Sequence, residues 1–327
     1  MILVTGGAGF IGSNIAAVLS ERGVPVAICD RMRRGDKWRN VSKLSLRDVV
    51  TPEALAGWLQ EHAAAVQAIV HMGAISSTTE PDVDLIVEVN FRLSMQLWYW
   101  CALHGKRFIY ASSAATYGAG EQGFDDDSSV EALAKLRPLN AYGWSKHLFD
   151  RWVARELAAG APRPAQWVGL KFFNVYGPNE YHKGGMQSVV AHKYPLVVAG
   201  EPATLFRSYR SDVPDGGQKR DFVYVGDCAD VVAWMLEHPS VNGLFNLGTG
   251  QARSFDDLAR AIFAALQRPA DIKYIDMPAA IRPNYQYFTE ASMERLRHAG
   301  YSRPFTSLAD GVREYVGRFL SQPDRYR

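Results

Sequence analysis

Cysteine is scarce here and follows no pattern. The three thiols among 327 residues, Cys29, Cys101 and Cys228, are odd in number and scattered, with no Cys-x-x-Cys pair and no Cys/His cluster. That argues against a disulfide framework and against a zinc site, and leaves reduced thiols in a cytosol as the simple reading. An excess of either charge is also missing. Lys and Arg number 36 against 34 Asp and Glu, a formal net charge of +2, which offers no argument for nucleic-acid or membrane binding. No uninterrupted apolar run reaches the roughly 18 residues of a membrane span. The start, Met1-Ile2-Leu3-Val4, lacks the basic n-region, apolar h-region and small-residue cleavage site of a secretory signal. A cytoplasmic location is the expectation. Internal repeats and low-complexity segments are absent too.

What is present alternates. Apolar residues make up 47% and charged residues 21%, near globular averages, in a length that suits one large domain or two modest ones. Strand-like runs occur at Ile2 to Thr5, Val24 to Cys29, Val66 to His71, Arg107 to Ala111 and Gln166 to Phe172. Helical patterns lie between them: to Gly23, Pro52 to Ala64, Asp82 to Leu103, and Tyr142 to Leu157. Continuous apolar strands separated by helices predict a parallel sheet covered on both faces, a doubly wound α/β (Rossmann) fold. Beyond about residue 175 the texture turns to longer loops holding Pro178, Pro195, Pro202 and Pro214, with helical patterns at Gly226 to Leu236, Ser254 to Leu266 and Ser307 to Leu320. The expected division is a dinucleotide domain over 1–174 and a smaller α/β substrate domain over 175–327, interleaved with the first.

Three stretches carry chemistry. Gly6-Gly7-Ala8-Gly9-Phe10-Ile11-Gly12 falls between a strand and a helix. Its glycines let the backbone turn tightly and approach a pyrophosphate, which the helix N-terminal amides bind. Asp30, at the end of the second strand, lies near the spacing of an acid that binds an adenosine ribose. Arg31, Arg33, Arg34 and Lys37 cluster where a 2′-phosphate would sit. The acid favours NAD and the cluster favours NADP; NADP is the expectation, with NAD possible. Tyr142 and Lys146 stand four apart on one helix face, where a positive charge would lower the phenol's pKa from about 10. Ser112-Ser113-Ala114-Ala115-Thr116-Tyr117-Gly118 follows the fourth strand, and the carboxyl ends of parallel strands line the ligand crevice. Gly73-Ala74 is placed to pass under the cofactor ribose, and Asn90 either bonds backbone or is a polar core residue.

The glycine loop, Ser113, and Tyr142 with Lys146 resemble the extended short-chain dehydrogenase/reductase superfamily of nucleotide-sugar enzymes. Lys171-Phe172-Phe173-Asn174-Val175-Tyr176-Gly177-Pro178 and Arg220-Asp221-Phe222-Val223-Tyr224-Val225-Gly226-Asp227 are similar to its substrate-domain motifs. More narrowly, His182-Lys183-Gly184, Ser76-Ser77-Thr78-Thr79-Glu80 and Asn284-Tyr285-Gln286 resemble the family of ADP-glyceromanno-heptose 6-epimerases. The resemblance implies an isomerase that inverts the exocyclic C6 of an ADP-heptose through transient oxidation by tightly bound NADP, supplying lipopolysaccharide heptose, as a homo-oligomer. It implies Tyr142, Lys146 and Ser113 in catalysis, with Lys183 as a second acid/base because one base serves two faces poorly. Dinucleotide contacts are implied for Gly6, Gly9, Phe10, Ile11, Gly12, Asp30, Arg31, Lys37, Met72, Gly73, Ala74, Ile75, Ser76, Val175 and Lys183. Sugar-nucleotide contacts are implied for Ser113, Asn174, Gly185, His192, Phe206, Arg207, Ser208, Tyr209, Arg220 and Tyr285.

The pattern has departures. Met72 replaces a frequent glutamate, Lys171 a common arginine and Gly185 a serine, and the segment 208–218 is longer than usual. Alternatives within the superfamily are a UDP-hexose 4-epimerase, which has no use for Lys183, and a 4,6-dehydratase, which would carry an Asp-Glu pair where Ala114-Ala115 stands. A non-catalytic dinucleotide-sensing protein would have little reason to keep Tyr142, Lys146 and Ser113 together.

Overall fold

A computed structural model describes every residue except Ala280, Pro283 and Asn284; the motif position Asn284 therefore lies outside the described residues. The strands, in chain order, are β1 (Ile2–Thr5), β2 (Val26–Cys29), β3 (Asp48–Val50), β4 (Ala68–His71), β5 (Arg107–Ser113), β6 (Gln166–Phe172), β7 (Asn174–Tyr176), β8 (Ala203–Phe206), β9 (Lys219–Tyr224), β10 (Gly243–Leu247), β11 (Ala252–Ser254) and β12 (Ile272–Ile275). Seven form one sheet in the order β10-β6-β5-β4-β1-β2-β3, and each of its pairings is parallel. Strand order reverses at β1, beside β4, which is where a doubly wound sheet opens its ligand crevice. The expected fold class is the one observed.

The central strands are apolar throughout because helices cover both faces; β1, β2, β4 and β6 have every residue buried. β3 went unread: it has three residues, two of them exposed, too few for a pattern. β10 also went unread, lying in a region that reads as loops and helices, yet its five residues are buried and close the sheet beside β6. The smaller sheets, β11-β9-β7 and β12-β8, come from the C-terminal half. There, Pro195 lies inside a helix, Val189–Ala199, rather than a loop. The termini decide this: the Ser188 hydroxyl accepts from Ala191 N, and Gly200 closes the helix with φ +79°.

The core has two parts. One surrounds the seven-stranded sheet and the other gathers Tyr176, Leu205, Phe222, Tyr224, Ile262, Phe263 and Tyr315 beneath the smaller sheets. Phe10, at the head of the first helix (Phe10–Glu21), belongs to the second cluster. The glycine loop thus docks directly on C-terminal residues. Among the described residues no helix is long and apolar enough to cross a membrane.

Candidate functional site

The turn after β1 is built for close approach. Gly6 has φ +64°, and a Cβ on Gly12 would meet the Gly6 carbonyl oxygen at 2.1 Å. Gly9 caps the first helix without a side-chain hydrogen bond, leaving its first amides to Phe10, Ile11 and Gly12 for an anion. Asp30 follows β2; its carboxylate accepts from Ala8 N at 2.9 Å and from Lys37 Nζ at 2.5 Å. Arg31 pairs with Glu53 at 2.6 Å. This cradle, with a carboxylate at the end of β2, fits a dinucleotide.

Residues Met72 to Ser76 follow β4 and are held from below. Asn90 donates to Ile75 O at 2.9 Å, accepts from Ile75 N at 2.8 Å, and reaches the Ser145 hydroxyl at 3.0 Å. Ser145 in turn donates to Tyr142 O at 2.7 Å. Asn90 achieves this because the helix read as continuous contains a π-helical turn at Val87–Arg92, whose extra residue turns it inward. Of its two readings, backbone bonding is the observed one. A second chain runs beside it. The Ser94 hydroxyl donates to Asn90 O at 2.7 Å and so receives the Nε2 proton of His71 at 3.0 Å. His71 Nδ1 therefore accepts from Thr5 Oγ1 at 2.6 Å, and Thr5 accepts from Gly73 N at 3.2 Å. This needs a neutral imidazole; burial, with the Lys146 charge adding, pushes His71 down to about 3.

Ser113 ends β5, and Tyr142 and Lys146 sit in the helix Ala141–Ala158, capped by Asn140, whose side chain accepts from Gly143 N at 2.8 Å. Ser113 lies beside the Tyr142 phenol, and its Oγ accepts from Ala115 N at 3.1 Å. One expectation is corrected here. The phenol sits above its ordinary value because burial penalises the phenolate, with the Ser113 side chain opposing. Lys146 does not reverse this, and burial depresses Lys146 itself to about 8, with the Asp150 carboxylate opposing.

Lys183 lies in the turn Tyr181–Met186, its Nζ 5.4 Å from the centre of the Phe10 ring. Burial lowers its pKa, and Glu180 partly offsets this. Asn40 ties that turn to the glycine loop by donating to Ala8 O at 2.9 Å and Asn179 O at 3.1 Å, with His182 Nδ1 at 3.2 Å. Tyr181 donates to Arg325 O at 2.8 Å and the Arg327 amide to Asn179 Oδ1 at 3.0 Å.

Of the expected sugar-nucleotide residues, Arg220, Tyr285 and Phe206 form a second group. Arg220 on β9 is buried and stacks 5.4 Å over the Tyr285 ring, which meets Phe206 edge-on at 6.3 Å. Arg220 also donates to Gln286 O, while Gln286 donates to Gly118 O at 2.7 Å. This joins the group to the turn after Ser113. Ser208 N donates to Asp215 Oδ1 at 2.8 Å, and Tyr209 stands exposed with the Arg282 guanidinium 4.0 Å from its ring centre. Arg207 lies exposed near Asp276. His192 reaches Gly185 O at 3.4 Å. Asn174 and Val175 lie on β7, Asn174 exposed and Val175 half-buried.

Sequence reasoning missed Asn40, His71 and Asp150, and it noted Lys171 only as a motif residue in place of a common arginine, not as the buried partner of Asp150 at 2.8 Å. For Lys171 a signal existed, a charge in the apolar run Gln166-Trp167-Val168-Gly169-Leu170-Lys171-Phe172. Asn40 and His71 carried none.

The model of the NAD dependent epimerase/dehydratase family matches residues 2–248. An ADP-L-glycero-D-manno-heptose-6-epimerase of Fusobacterium nucleatum is 46% identical over the full length of both chains, and one of Nitratidesulfovibrio vulgaris 48% identical over 99% of both. Among solved structures, the Helicobacter pylori ADP-L-glycero-D-manno-heptose-6-epimerase superposes with a TM-score of 0.79 at 27% identity, covering 97% of this chain and 95% of that one. A Thermus thermophilus UDP-glucose 4-epimerase in complex with NAD gives 0.74 at 28%, covering 97% of each. With a dinucleotide cradle at the switch of strand order and a Ser-Tyr-Lys group beside it, the chain belongs to the NAD dependent epimerase/dehydratase family.

Proposed function

We propose that this protein interconverts ADP-D-glycero-D-manno-heptose and ADP-L-glycero-D-manno-heptose by inverting the exocyclic C6 centre. The observation that carries the reading is Lys183, its pKa lowered by burial, brought against Phe10 at the head of the dinucleotide helix. Full-length relatives of that name at 46% and 48% identity support it. A UDP-hexose 4-epimerase has no use for Lys183, and Ala114-Ala115 holds no acid pair for a dehydratase.

The bound dinucleotide supplies the hydride acceptor and donor. Gly6, Gly9, Phe10, Ile11 and Gly12 would hold its pyrophosphate, and Met72 to Ser76 with Val175 would line its ribose and ring. Ser113 holds the C6 oxygen, and Tyr142 takes the C6 hydroxyl proton. Lys146 favours the phenolate while charged. The resulting aldehyde turns over in the pocket, and the Lys183 ammonium gives its own proton to the carbonyl oxygen from the opposite side; exchange with water restores the Tyr142 phenolate and the Lys183 ammonium. Arg220 pairs its planar fork with the diphosphate, while Phe206 to Tyr209, Tyr285, His192, Gly185 and Asn174 enclose the rest of the sugar nucleotide.

We assign NADP as the cofactor because Lys37 neutralises the Asp30 carboxylate, which otherwise favours a free 2′-hydroxyl, and Arg33 and Arg34 stand nearby. Tryptophan-fluorescence titration checks this: tighter binding of NAD than of NADP reverses it. Residues 1–174 are assigned mainly to the dinucleotide and 175–327 mainly to the sugar nucleotide, the second part interleaved with the first, as β10 in the seven-stranded sheet supports. The setting we infer is a cytoplasmic homo-oligomer supplying heptose for lipopolysaccharide.

The test is chromatographic separation of the two epimers after incubation without added cofactor. No interconversion, with activity on UDP-galactose instead, replaces this reading with the 4-epimerase. Lys183→Met should abolish epimerisation while the dinucleotide remains bound; full activity in that variant removes the second base.

A further inference from the structure

Asp150 and Lys171 take no part in the chemistry above, yet both side chains are wholly excluded from solvent, 2.8 Å apart. Asp150 follows Lys146 by one turn and Tyr142 by two on the same helix stripe. Lys171 lies on β6 directly opposite Ser112 in the β5–β6 register. Burying two charges is costly, and apolar side chains of similar volume are often as stable or more so. Stability is therefore a poor account of the pair.

Its hydrogen bonds point elsewhere. The Asp150 carboxylate accepts from Ser112 Oγ at 2.7 Å and from the Tyr110 hydroxyl at 3.1 Å. Lys171 donates to Thr116 Oγ1 at 2.7 Å, and Thr116 donates to Ser113 O at 2.8 Å. The Lys171 ammonium also lies 4.9 Å from the centre of the Tyr117 ring. Ser113 stands at the end of its strand, where the ladder stops, and it is gripped on both sides: through Ser112 before it and through its own carbonyl. The same carboxylate supports the Lys146 charge against burial.

We propose that the buried Asp150–Lys171 pair is a positioning unit, holding Ser113 at the end of β5 and Lys146 in line with Tyr142. The inference rests on the assignment of those three residues made above. It predicts a defect in turnover rather than in binding.

Lys171→Met should lower kcat about 100-fold, the scale of a misplacement near 1 Å, with KM and dinucleotide affinity changed by less than about threefold. Lys171→Arg, which keeps the charge, should restore most of the rate; an Arg variant as slow as the Met variant overturns the proposal. Where Lys171→Met leaves a lone carboxylate buried and fails to fold, the double variant Asp150→Asn/Lys171→Met buries no charge and is the protein to measure. A folded variant with kcat within about twofold of the parent overturns the proposal. So does a loss spread equally over KM and dinucleotide affinity. A crystal structure of the double variant decides the matter without any substrate: Ser113 Oγ or Lys146 Nζ displaced by about 1 Å supports positioning, and both unmoved overturns it. Should the parent enzyme leave ADP-heptose unchanged, the functional reading fails while that displacement still decides this one.

Discussion

Gly12 shows how little room a dinucleotide turn leaves. A methyl group there would lie 2.1 Å from the Gly6 carbonyl oxygen, a backbone atom that cannot swing aside. Gly12→Ala should weaken dinucleotide binding by about 100-fold, as judged by fluorescence titration; affinity within about threefold of the parent would count against the cradle. Asn90 is a second such point, since it satisfies both polar groups of Ile75. Asn90→Ala leaves these without their partner, and a loss of about 1–3 kcal/mol in urea unfolding is expected, together with weaker dinucleotide binding. An unchanged unfolding midpoint would show that the Ile75 groups find other partners. At this scale the residue types of the site were legible, because glycine spacing and the Tyr142/Lys146 repeat are local. Their protonation was not, because the burial that raises the Tyr142 phenol is made by side chains distant in sequence.

Elements repeat the contrast. β1 and β6 have the bounds read from the sequence, since runs buried on both faces must be apolar from end to end. The π-helical turn at Val87–Arg92 was not legible, as it depends on what packs against it, whereas the helix across Pro195 carried local signals, the Ser188 cap and the Gly200 stop, that the proline outweighed in the reading. Trp98, in the helix Leu93–Leu103, is fully buried among Phe108, Phe149, Trp152 and Trp167, with ring centres 5.8–6.5 Å away. Trp98→Ala should cost about 3–5 kcal/mol in denaturant unfolding. Trp98→Phe should cost much less, because the indole N–H it removes has no partner among the described residues. Equal losses in the two variants would assign the value of Trp98 to its N–H rather than to its volume.

For the molecule as a whole, buried histidines set the response to acid. Burial holds His71 at about 3 and His147 and His182 at about 4, all below 6.5. As pH falls through 6.5 the unfolded chain takes up these protons first, so stability falls with pH. Asp126, pushed up to about 6 by burial, acts oppositely below that pH, as do Glu180 and Asp227, which burial also raises, but the histidine shifts are the larger. Urea unfolding between pH 7 and about 4.5 should therefore show a net decline; a flat or rising profile would mean that one of these groups titrates otherwise. The sequence alone determined the doubly wound class, the dinucleotide turn and the residue types that move protons, because those depend on short-range periodicity and spacing. Only the tertiary structure decided that β10 closes the sheet, that Lys183 meets Phe10, and that Asp150 and Lys171 share one buried site beneath Ser113. Each of these joins segments separated by 21 to 173 residues, and no local pattern records which distant side chains will exclude water from one another.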